Sequence, residues 1–438
     1  MKSLIRKNIK YKMEEEKILN NKSKSRKIQN EEQILLLPTN LNINHLIIYI
    51  ILPIAILLPL SILIYNVFIK QKYEYDYLIV GSGLYGATFN YLAKKQGKKT
   101  LVIERNNFTG GNLYCENIEG IYIHKYGPHI FHTNNKTIWD FVNSIVEFEP
   151  YITQPVAKIK KKMYSLPYNM WTFQELWNIT NPQKAFEKIE KQRHKKIIYD
   201  LKDQAKSIVG KDIYNKFIKG DIMKKWQREV EDLPPFIIPD LPKRFVFDNN
   251  YFFNDKYQGI PKGCYNALIN KLLNDTKVLT GVDYLKDRER FNNIAEKIIY
   301  TGKIDEIYNY TYTPLEYRSY SYVHKVKNTS NYQGAAIIET PHIKTKYLRS
   351  IEYKHFEPYN QKIQEMPKTV ISYEYNDPWN EDKDSFYPLG DERNNNVYLK
   401  YNQLAEEEKK IVFRGRLGTY KYYDMQDIIK DVFEQFGM

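Results

Sequence analysis

The pattern of apolar and polar positions divides the chain into a polar N-terminal stretch, one long apolar run and a large mixed segment. Residues 1–45 are polar and basic, and we expect them to be disordered. Leu46–Ile69 contains 24 uncharged residues, mostly Ile and Leu. That length spans a bilayer hydrocarbon core of about 30 Å, and the 45 residues before it argue against a cleaved signal peptide. The pattern therefore predicts a single transmembrane helix over 46–69.

Beyond residue 72 the spacing of apolar residues changes along the chain. Strands and amphipathic helices alternate over 73–162, helical spacing follows over 172–226, and prolines between 234 and 242 indicate an extended connector. The stretch 317–375 alternates as strands do, and 410–433 reads as strand, glycine loop and helix. The polar run 394–396 is predicted to lie in a loop.

The most specific motif lies in 75–105, where an apolar strand leads into Gly81-x-Gly83-x-x-Gly86, a helix, a second strand and Glu104. Gly81 permits a tight turn, Gly83 lets the backbone approach a pyrophosphate, and Gly86 lets helix and sheet pack closely. The helix N-terminus favours phosphate through its free N–H groups and its dipole. Glu104 is placed to accept hydrogen bonds from an adenosine ribose. We therefore predict a dinucleotide site.

A second glycine pair, Gly110-Gly111, follows Glu104 closely and favours FAD over a nicotinamide dinucleotide. His129 and His132 lie where such folds expose the isoalloxazine, so both are candidate catalytic residues. The remaining candidate cofactor contacts in this region are Ser82, Arg105, Gly111 and Asn112.

The pattern and motif together predict an α/β fold. We expect a discontinuous Rossmann-like FAD-binding domain over 73–162, 255–305 and 397–438. We further expect an inserted helical domain over 166–232, an antiparallel β-sheet substrate domain over 233–254 and 306–396, and the N-terminal membrane anchor.

Composition narrows the possible partners and the compartment. The formal net charge is +14, but basic and acidic residues are interleaved in the globular part, so nucleic-acid binding is not indicated. Cys115 and Cys264 are far apart in sequence, which argues against a disulfide framework or a Cys-rich zinc site. Basic residues flank both ends of the apolar run, so the positive-inside rule does not fix its orientation. A glycan on Asn107 would crowd the cofactor, which favours a cytosolic catalytic domain.

Eight segments resemble the bacterial-type UDP-galactopyranose mutases in this order: GSGLYG, YGPHIFHTNN, SLPYNMWTF, NNYFFNDKYQGIP, LEYRS, EYKHF, FYPL and RLGTYKYYDM. The resemblance covers about 75–437. It implies a non-redox isomerisation of UDP-galactopyranose to UDP-galactofuranose, in which N5 of reduced FAD forms an adduct with the sugar. It also implies that NADPH or NADH could serve as reductant and that a homodimer could form.

The resemblance further implies roles for particular residues. Arg349 and Arg318 match arginines of the diphosphate site. The other residues that match family positions are Tyr387, Tyr422 and Tyr251 as hydrogen-bonding tyrosines, Trp226 at the sugar, Asn169 on the uridine side, Asp424 near flavin and substrate, and Arg416 along the FAD.

Two positions depart from the family pattern. Asp221 replaces a tyrosine that stacks on uracil, and Asp240 replaces an arginine of a mobile lid. An acid facing a diphosphate repels it, and losing one charge-assisted hydrogen bond costs about 1.5–3 kcal/mol, although Lys243 could compensate. Two alternatives therefore stay open. One is an FAD protein with weakened or altered sugar-nucleotide activity, and the other is an amine-oxidase-like flavin oxidoreductase.

Overall fold

The computed structural model describes residues 51–64, 73–238 and 240–438. Contacts group the chain into two units, Met1–Lys72 and Tyr73–Met438. The first contains the 13-residue helix Leu52–Ile64. The predicted span over 46–69 and the predicted tail over 1–45 otherwise fall outside the described residues. Within the described ranges, each helix is too short or too polar to cross a bilayer.

A five-stranded parallel sheet forms the core of the cofactor half. Its strands, in spatial order, are Lys277–Thr280, Thr100–Glu104, Tyr75–Val80, Ala295–Tyr300 and Ile411–Phe413. Helices Leu84–Lys95, Cys264–Leu272, Met425–Gln435 and Lys136–Ile145 pack together on the sheet. The central strands YDYLIV and TLVIE are almost continuously apolar because a parallel sheet is covered on both faces.

A seven-stranded sheet forms the second half. Its spatial order is Tyr387–Pro388, Tyr317–Lys327, Thr369–Asp377, Arg349–Glu352, Ile337–Glu339, Val156–Ile159 and Lys162–Ser165. The strand Val156–Ile159 pairs in parallel with Ile337–Glu339. The hairpin Val156–Ile159 and Lys162–Ser165 thus pairs with the second sheet, although the predicted FAD-binding segment runs to residue 162.

Smaller elements complete the unit. A three-stranded sheet joins Phe131–Thr133, Tyr257–Pro261 and Phe148–Pro150, and a hairpin joins Cys115–Ile118 to Ile121–His124. The shorter α-helices are Arg288–Ile294, Ile304–Ile307, Gln361–Gln364 and Gly415–Gly418. The 3₁₀ turns are Gly111–Leu113, Val230–Asp232, Pro235–Ile237, Tyr284–Asp287 and Tyr353–Phe356.

The inserted helical segment has its own apolar core. It consists of Met170–Trp177, Pro182–Glu190 and Leu201–Ile213, which continues through the π-helical turn Tyr214–Ile218 into Lys219–Trp226. Each of the first three helices begins with an Asn or Asp side chain that accepts a backbone N–H of the first turn. The sequence predicted helices here.

Two local predictions were wrong. Residues 394–396 lie in the helix Glu392–Glu407, whose cap Asp391 accepts the N–H of Asn394 at 2.8 Å. Cys115 and Cys264, 149 residues apart, form a disulfide that ties a strand to the start of a helix. Separation along the sequence did not indicate distance in space, because the fold brings the two cysteines together.

Candidate active site

The predicted glycine turn has three glycines with different roles. Gly81 has φ +104°, and its N–H donates to Ile103 O at 2.8 Å. A Cβ on Gly86 would lie 2.0 Å from the carbonyl oxygen of Gly81, so helix and turn could not pack with any larger residue. Gly83 has φ −65°, and a Cβ there would meet nothing within 4 Å. Gly83 therefore leaves space toward the cleft, as expected where a cofactor approaches the backbone.

The second glycine pair lies against this turn. A Cβ on Gly111 would lie 3.2 Å from Cα of Gly83, and the Gly110 N–H donates to Ser82 O at 3.2 Å. Asn112 reaches away from the turn, with its Nδ2 3.4 Å from Phe386 O. The two turns line a cavity of about 440 Å³. An open glycine backbone at the start of a helix, facing a cavity of this size, fits the pyrophosphate of FAD.

Glu104 lines the cavity, but its oxygens also hold the turn. One carboxylate oxygen accepts the N–H and the hydroxyl of Ser82 at 2.9 and 2.7 Å, and the other accepts the N–H of Asn106 at 2.9 Å. Arg105 lies in the same wall and pairs with Glu306 at 2.9 Å and with Asp283 at 3.7 Å. Both predicted cofactor residues thus organise the rim of the cavity.

His129 stands in the cavity wall as a neutral imidazole. Its backbone N–H donates to Nδ1 of His124 at 3.0 Å, and its own Nδ1 lies 2.7 Å from Gly127 O. Since a carbonyl only accepts, Nδ1 carries the proton and Nε2 is the acceptor. Burial lowers the pKa of His129 to about 4, and the positive charge of Arg416 adds to the shift.

The structure separates the two candidate histidines. His132 is not among the residues that line the cavity. Its Nδ1 lies 2.5 Å from Asp255 Oδ2, and its ring stacks on Phe252 with the centroids 3.7 Å apart. These contacts hold the side chain of His132, in the strand Phe131–Thr133, against the segment 252–255, so its catalytic role stays a prediction.

Four predicted residues form a continuous row that starts in the cavity wall. Arg416 lines the cavity, and its guanidinium lies 5.2 Å from the centroid of the Tyr422 ring. The Tyr422 ring meets the Tyr387 ring edge-on at 5.6 Å. Tyr387 in turn pairs with Arg318 across neighbouring strands. The structure therefore brings these side chains, which come from three separate stretches of sequence, to one place.

The hydroxyl of Tyr422 is kept protonated. Tyr422 is 56% exposed, but partial loss of hydration raises its pKa to about 12, and the Asp424 carboxylate also raises it. The hydroxyl donates to Asp424 Oδ1 at 3.1 Å. Asp424 itself stands at the start of the helix Met425–Gln435, where its N–H donates to Asp427 at 3.0 Å. Asp424 thus combines a helix-capping position with a contact to the row of tyrosines.

Arg318 is fixed between the sheet and the helical segment. Its guanidinium carbon lies 3.6 Å from the centroid of the Trp226 ring, and its Nη1 donates to Lys225 O at 3.1 Å. A guanidinium stacked on an indole keeps most of its in-plane N–H donors free for another ligand. The predicted sugar-site tryptophan and the predicted diphosphate arginine are therefore neighbours.

Arg349 lies between two glutamates of adjacent strands. Its Nε donates to Glu374 at 2.9 Å, its Nη2 forms an ion pair with the same oxygen at 2.8 Å, and its Nη1 lies 3.7 Å from Glu339. Tyr251 lies close enough for the charges of Glu339 and Arg349 to affect its pKa, which burial raises. Sequence reasoning missed both glutamates. Strand alternation predicts which residues of one strand share a face, but not the register that places both glutamates beside Arg349.

The two residues that depart from the family pattern, Asp221 and Asp240, make local contacts in the structure. Asp221 forms an ion pair with Lys225 at 2.7 Å within the helix Lys219–Trp226. Asp240 is exposed and its Oδ1 accepts the N–H of Leu241 at 2.8 Å. Lys243 pairs with Tyr168 in an isolated β-bridge.

Asn169 is the predicted site residue that fits its role least well. It is fully buried, and its Oδ1 accepts the N–H groups of Trp171 and Thr172 at 2.9 and 3.3 Å. Its Nδ2 donates to the hydroxyl of Ser165 at 2.9 Å. The side chain caps a helix, so its contact with a uridine remains a prediction.

Comparison with known proteins places these features in a family. A family model described as UDP-galactopyranose mutase matches residues 216–422, and one described as an NAD(P)-binding Rossmann-like domain matches residues 79–145. The dTDP-fucopyranose mutase of Escherichia coli is 33% identical over 367 residues, which are 82% of this chain and 96% of that protein. A probable UDP-galactopyranose mutase of Klebsiella pneumoniae is 33% identical over 362 residues, 81% of this chain and 92% of that protein.

A solved structure supports the fold. The crystal structure of a reduced UDP-galactopyranose mutase has a TM-score of 0.62 and 12% sequence identity, and the match covers 83% of this chain and 94% of that one. At this identity the likeness concerns the fold alone.

Proposed function

The chain belongs to the UDP-galactopyranose mutase family, and from that premise we propose that it interconverts the pyranose and furanose forms of a nucleotide-linked galactose. The observation that carries the proposal is the continuous row from Arg416 in the cavity wall to Arg318. This row leads from the cavity beside the glycine turns to Arg318, a predicted diphosphate arginine.

The relatives confirm three predictions made from the sequence: the family, flavin-dependent isomerisation of a sugar nucleotide, and FAD as the cofactor. The α/β Rossmann-like fold is confirmed as well. The roles of individual residues, the domain boundaries and a homodimer stay predictions, as does the reductant.

FAD would be held by the turns at Gly83 and Gly111, with Glu104 and Arg416 in the adjoining wall. When bound in its reduced form, it supplies the nucleophile for the anomeric carbon of the sugar. His129 is neutral between pH 5 and 8, so its Nε2 accepts a hydrogen bond rather than adding a positive charge.

The two arginines would hold the diphosphate while the bond to the sugar is broken. Arg349 and Arg318 carry permanent charge, and each presents a planar fork of donors that matches phosphate oxygens. The hydroxyls of Tyr387 and Tyr422 would donate to the same group. The role of these residues is to retain the leaving diphosphate near the sugar, so that it can react again after the ring has closed in its other form.

The test uses the full-length chain, purified in mild detergent with FAD. It is reduced with dithionite and incubated with UDP-galactofuranose, and UDP-galactopyranose is followed by chromatography. Product that forms only with reduced flavin supports the proposal. Bound FAD without product over hours would refute it, whereas substrate-dependent oxygen uptake would indicate the oxidoreductase alternative instead.

A dTDP-linked sugar is the second candidate substrate. The Escherichia coli relative named as a dTDP-fucopyranose mutase is as similar as the UDP-galactopyranose relative. Parallel assays with dTDP-fucofuranose and UDP-galactofuranose decide between them, since the larger kcat/KM identifies the preferred nucleotide sugar.

Membrane association rests on the apolar run 46–69 alone and stays a prediction. Fractionation of cells that express the full chain tests it. The chain should sediment with membranes and stay in the pellet after a high-salt wash. Its release into the supernatant by high salt would contradict the prediction.

A further inference from the structure

The charges around Arg349 alternate across three neighbouring strands. Arg349 lies directly opposite Glu374 on one side and Glu339 on the other in the antiparallel registers. The Glu374 side chain is 4% exposed, accepts a hydrogen bond from Nε of Arg349 at 2.9 Å and forms an ion pair with its Nη2 at 2.8 Å, whereas the Glu339 side chain is 27% exposed and approaches only one nitrogen, at 3.7 Å. Glu374 therefore orients the guanidinium, and Glu339 is the weaker, more accessible partner.

The helix Lys219–Trp226 is fixed at the end of the Glu339 strand. A Cβ on Gly220 would lie 2.5 Å from Pro341 O, so the helix approaches that backbone closely. Lys224 donates its Nζ to the carbonyl oxygens of Thr340 and Tyr347. This packing brings Lys225 and Asp221, on the same helix, into electrostatic range of Glu339.

The result is a group of two cations and three carboxylates, which we call the Arg349 charge row: Glu374, Arg349, Glu339, Lys225 and Asp221. Burial raises the pKa of Glu339, and the charges of Asp221 and Glu374 add to the rise, while Arg349 and Lys225 oppose it. Tyr251 and Lys224 also face Glu339. The Glu339 carboxyl therefore holds a proton more readily than a free glutamate does.

A diphosphate diester brings two negative charges to Arg349. Nε and Nη2 of the guanidinium both contact Glu374, so Nη1, the nitrogen that faces Glu339, is the one left for an incoming oxygen. A phosphate oxygen at Nη1 would lie close to the Glu339 carboxylate. Two negative charges so close together disfavour the ionised form of Glu339. A protonated Glu339 would remove the repulsion and could donate its O–H to a phosphate oxygen.

We propose that Glu339 is a proton-coupled positioning residue of the diphosphate site: ionised and paired with Arg349 before binding, it takes up one proton when the sugar nucleotide binds. The proposal rests on the proposed function, because it assumes that Arg349 contacts the diphosphate. The proton comes from solvent and is released when the nucleotide leaves.

The experiment measures proton uptake directly. UDP-galactopyranose is titrated by calorimetry into the oxidised full-length FAD protein, which binds without turnover, in two buffers of different ionisation enthalpy from pH 5.5 to 8.5. The diester has no phosphate group that titrates in this range, unlike UDP. We expect the protein to take up nearly one proton for each UDP-galactopyranose bound. In the pH range where this uptake occurs, the affinity for UDP-galactopyranose should fall up to about tenfold for each unit of rising pH.

Variants then identify the group. Glu339→Gln should bind without proton uptake and with an affinity independent of pH, at least as tightly as the parent at pH 8.5. Glu119→Gln, at a surface ion pair with Lys368, is the matched control and should keep the parent's pH dependence. Bound FAD and the melting temperature establish that each variant is folded.

The outcomes separate the two hypotheses. No proton uptake by the parent at any pH, or uptake that persists in Glu339→Gln, overturns the inference and leaves the mutase function intact. If neither UDP-galactopyranose nor a dTDP-sugar binds at any pH while FAD is bound, the proposed function itself fails.

Discussion

The guanidinium carbon of Arg318 lies 3.6 Å from the centroid of the Trp226 ring. Arg318 belongs to the strand Tyr317–Lys327 of the seven-stranded sheet, and Trp226 ends the helix Lys219–Trp226. The contact joins two parts of the chain that are far apart in sequence. It holds the arginine in place before any ligand arrives, which lowers the entropic cost of binding a phosphate.

Removing the ring beneath Arg318 should therefore impair catalysis. A desolvated cation–π contact contributes ~2 kcal/mol, so Trp226→Leu is expected to lower kcat/KM by roughly thirtyfold. Trp226→Phe keeps an aromatic face and should lose less than tenfold. Initial rates with reduced enzyme measure both. Lys95→Gln, which removes the cation above Tyr91 on the surface, is the control and should leave kcat/KM unchanged. Equal losses in the Leu and Phe variants would contradict the stacking argument.

The glycine turn offers a test that separates cofactor binding from folding. Gly83→Ala meets no atom within 4 Å and has an ordinary φ, so the fold should survive. Its methyl group would nevertheless occupy the approach to the pyrophosphate, and we expect FAD affinity to fall at least tenfold, or about 1.4 kcal/mol. Gly86→Ala would clash with Gly81 O and should destabilise the fold itself.

Fluorescence titration with FAD and thermal unfolding of FAD-free protein distinguish the two variants. Gly83→Ala should melt with the parent but bind FAD weakly. Gly86→Ala should melt at a lower temperature even without FAD. An unchanged FAD affinity in Gly83→Ala would show that the cofactor does not approach the backbone at that position.

The predicted diphosphate arginine leads to a third expectation. Arg349→Lys keeps the charge but loses the fork that binds Glu374 and the ligand together. Losing one charge-assisted hydrogen bond costs about 1.5–3 kcal/mol, so kcat/KM should fall roughly ten- to hundredfold. FAD content should be unchanged. Arg290→Lys, at the exposed pair with Asp287, is the matched control. Full activity of Arg349→Lys would exclude the proposed binding of the diphosphate by the Arg349 guanidinium.

The sequence predicted the glycine turn, and the family resemblance predicted all four residues of the row from Arg416 to Arg318, because both rest on short motifs that fix local structure. Gly81, Gly83 and Gly86 each lie where their spacing predicted. The sequence could not reveal Glu339 or Glu374, since their roles arise from strand register over tens of residues. Asn169 shows the converse problem. Its position in a matched motif suggested a ligand contact, whereas its amide caps a helix.

The buried histidines predict a pH dependence of stability. Burial lowers the pKa of His124 to about 3 and that of His129 to about 4, both from 6.5. The unfolded chain therefore binds protons below pH 6.5 that the folded chain does not, so stability falls as the pH drops toward these values. Each group contributes a slope of up to about 1.4 kcal/mol per pH unit.

Urea unfolding between pH 4.5 and 7 with saturating FAD measures the slope. His124→Asn keeps an acceptor for the N–H of His129 and has no group that titrates, so its curve should be flatter than the parent's. Equal slopes for parent and variant would contradict the assignment of this acid sensitivity to His124.

The disulfide between Cys115 and Cys264 supplies the last prediction, because it joins the strand Cys115–Ile118 to the helix Cys264–Leu272. Cys115 begins the strand that follows the Gly110-Gly111 turn, and Cys264 begins the helix Cys264–Leu272. A disulfide typically adds about 2–4 kcal/mol to the free energy of unfolding, because it restricts the unfolded chain. Cys115→Ser with Cys264→Ser should therefore lower the urea midpoint of the oxidised protein. The double variant should have the same urea midpoint as the parent protein after reduction of its disulfide. Alkylation of two thiols in the unfolded, unreduced parent, detected by mass spectrometry, would show that the bridge does not form.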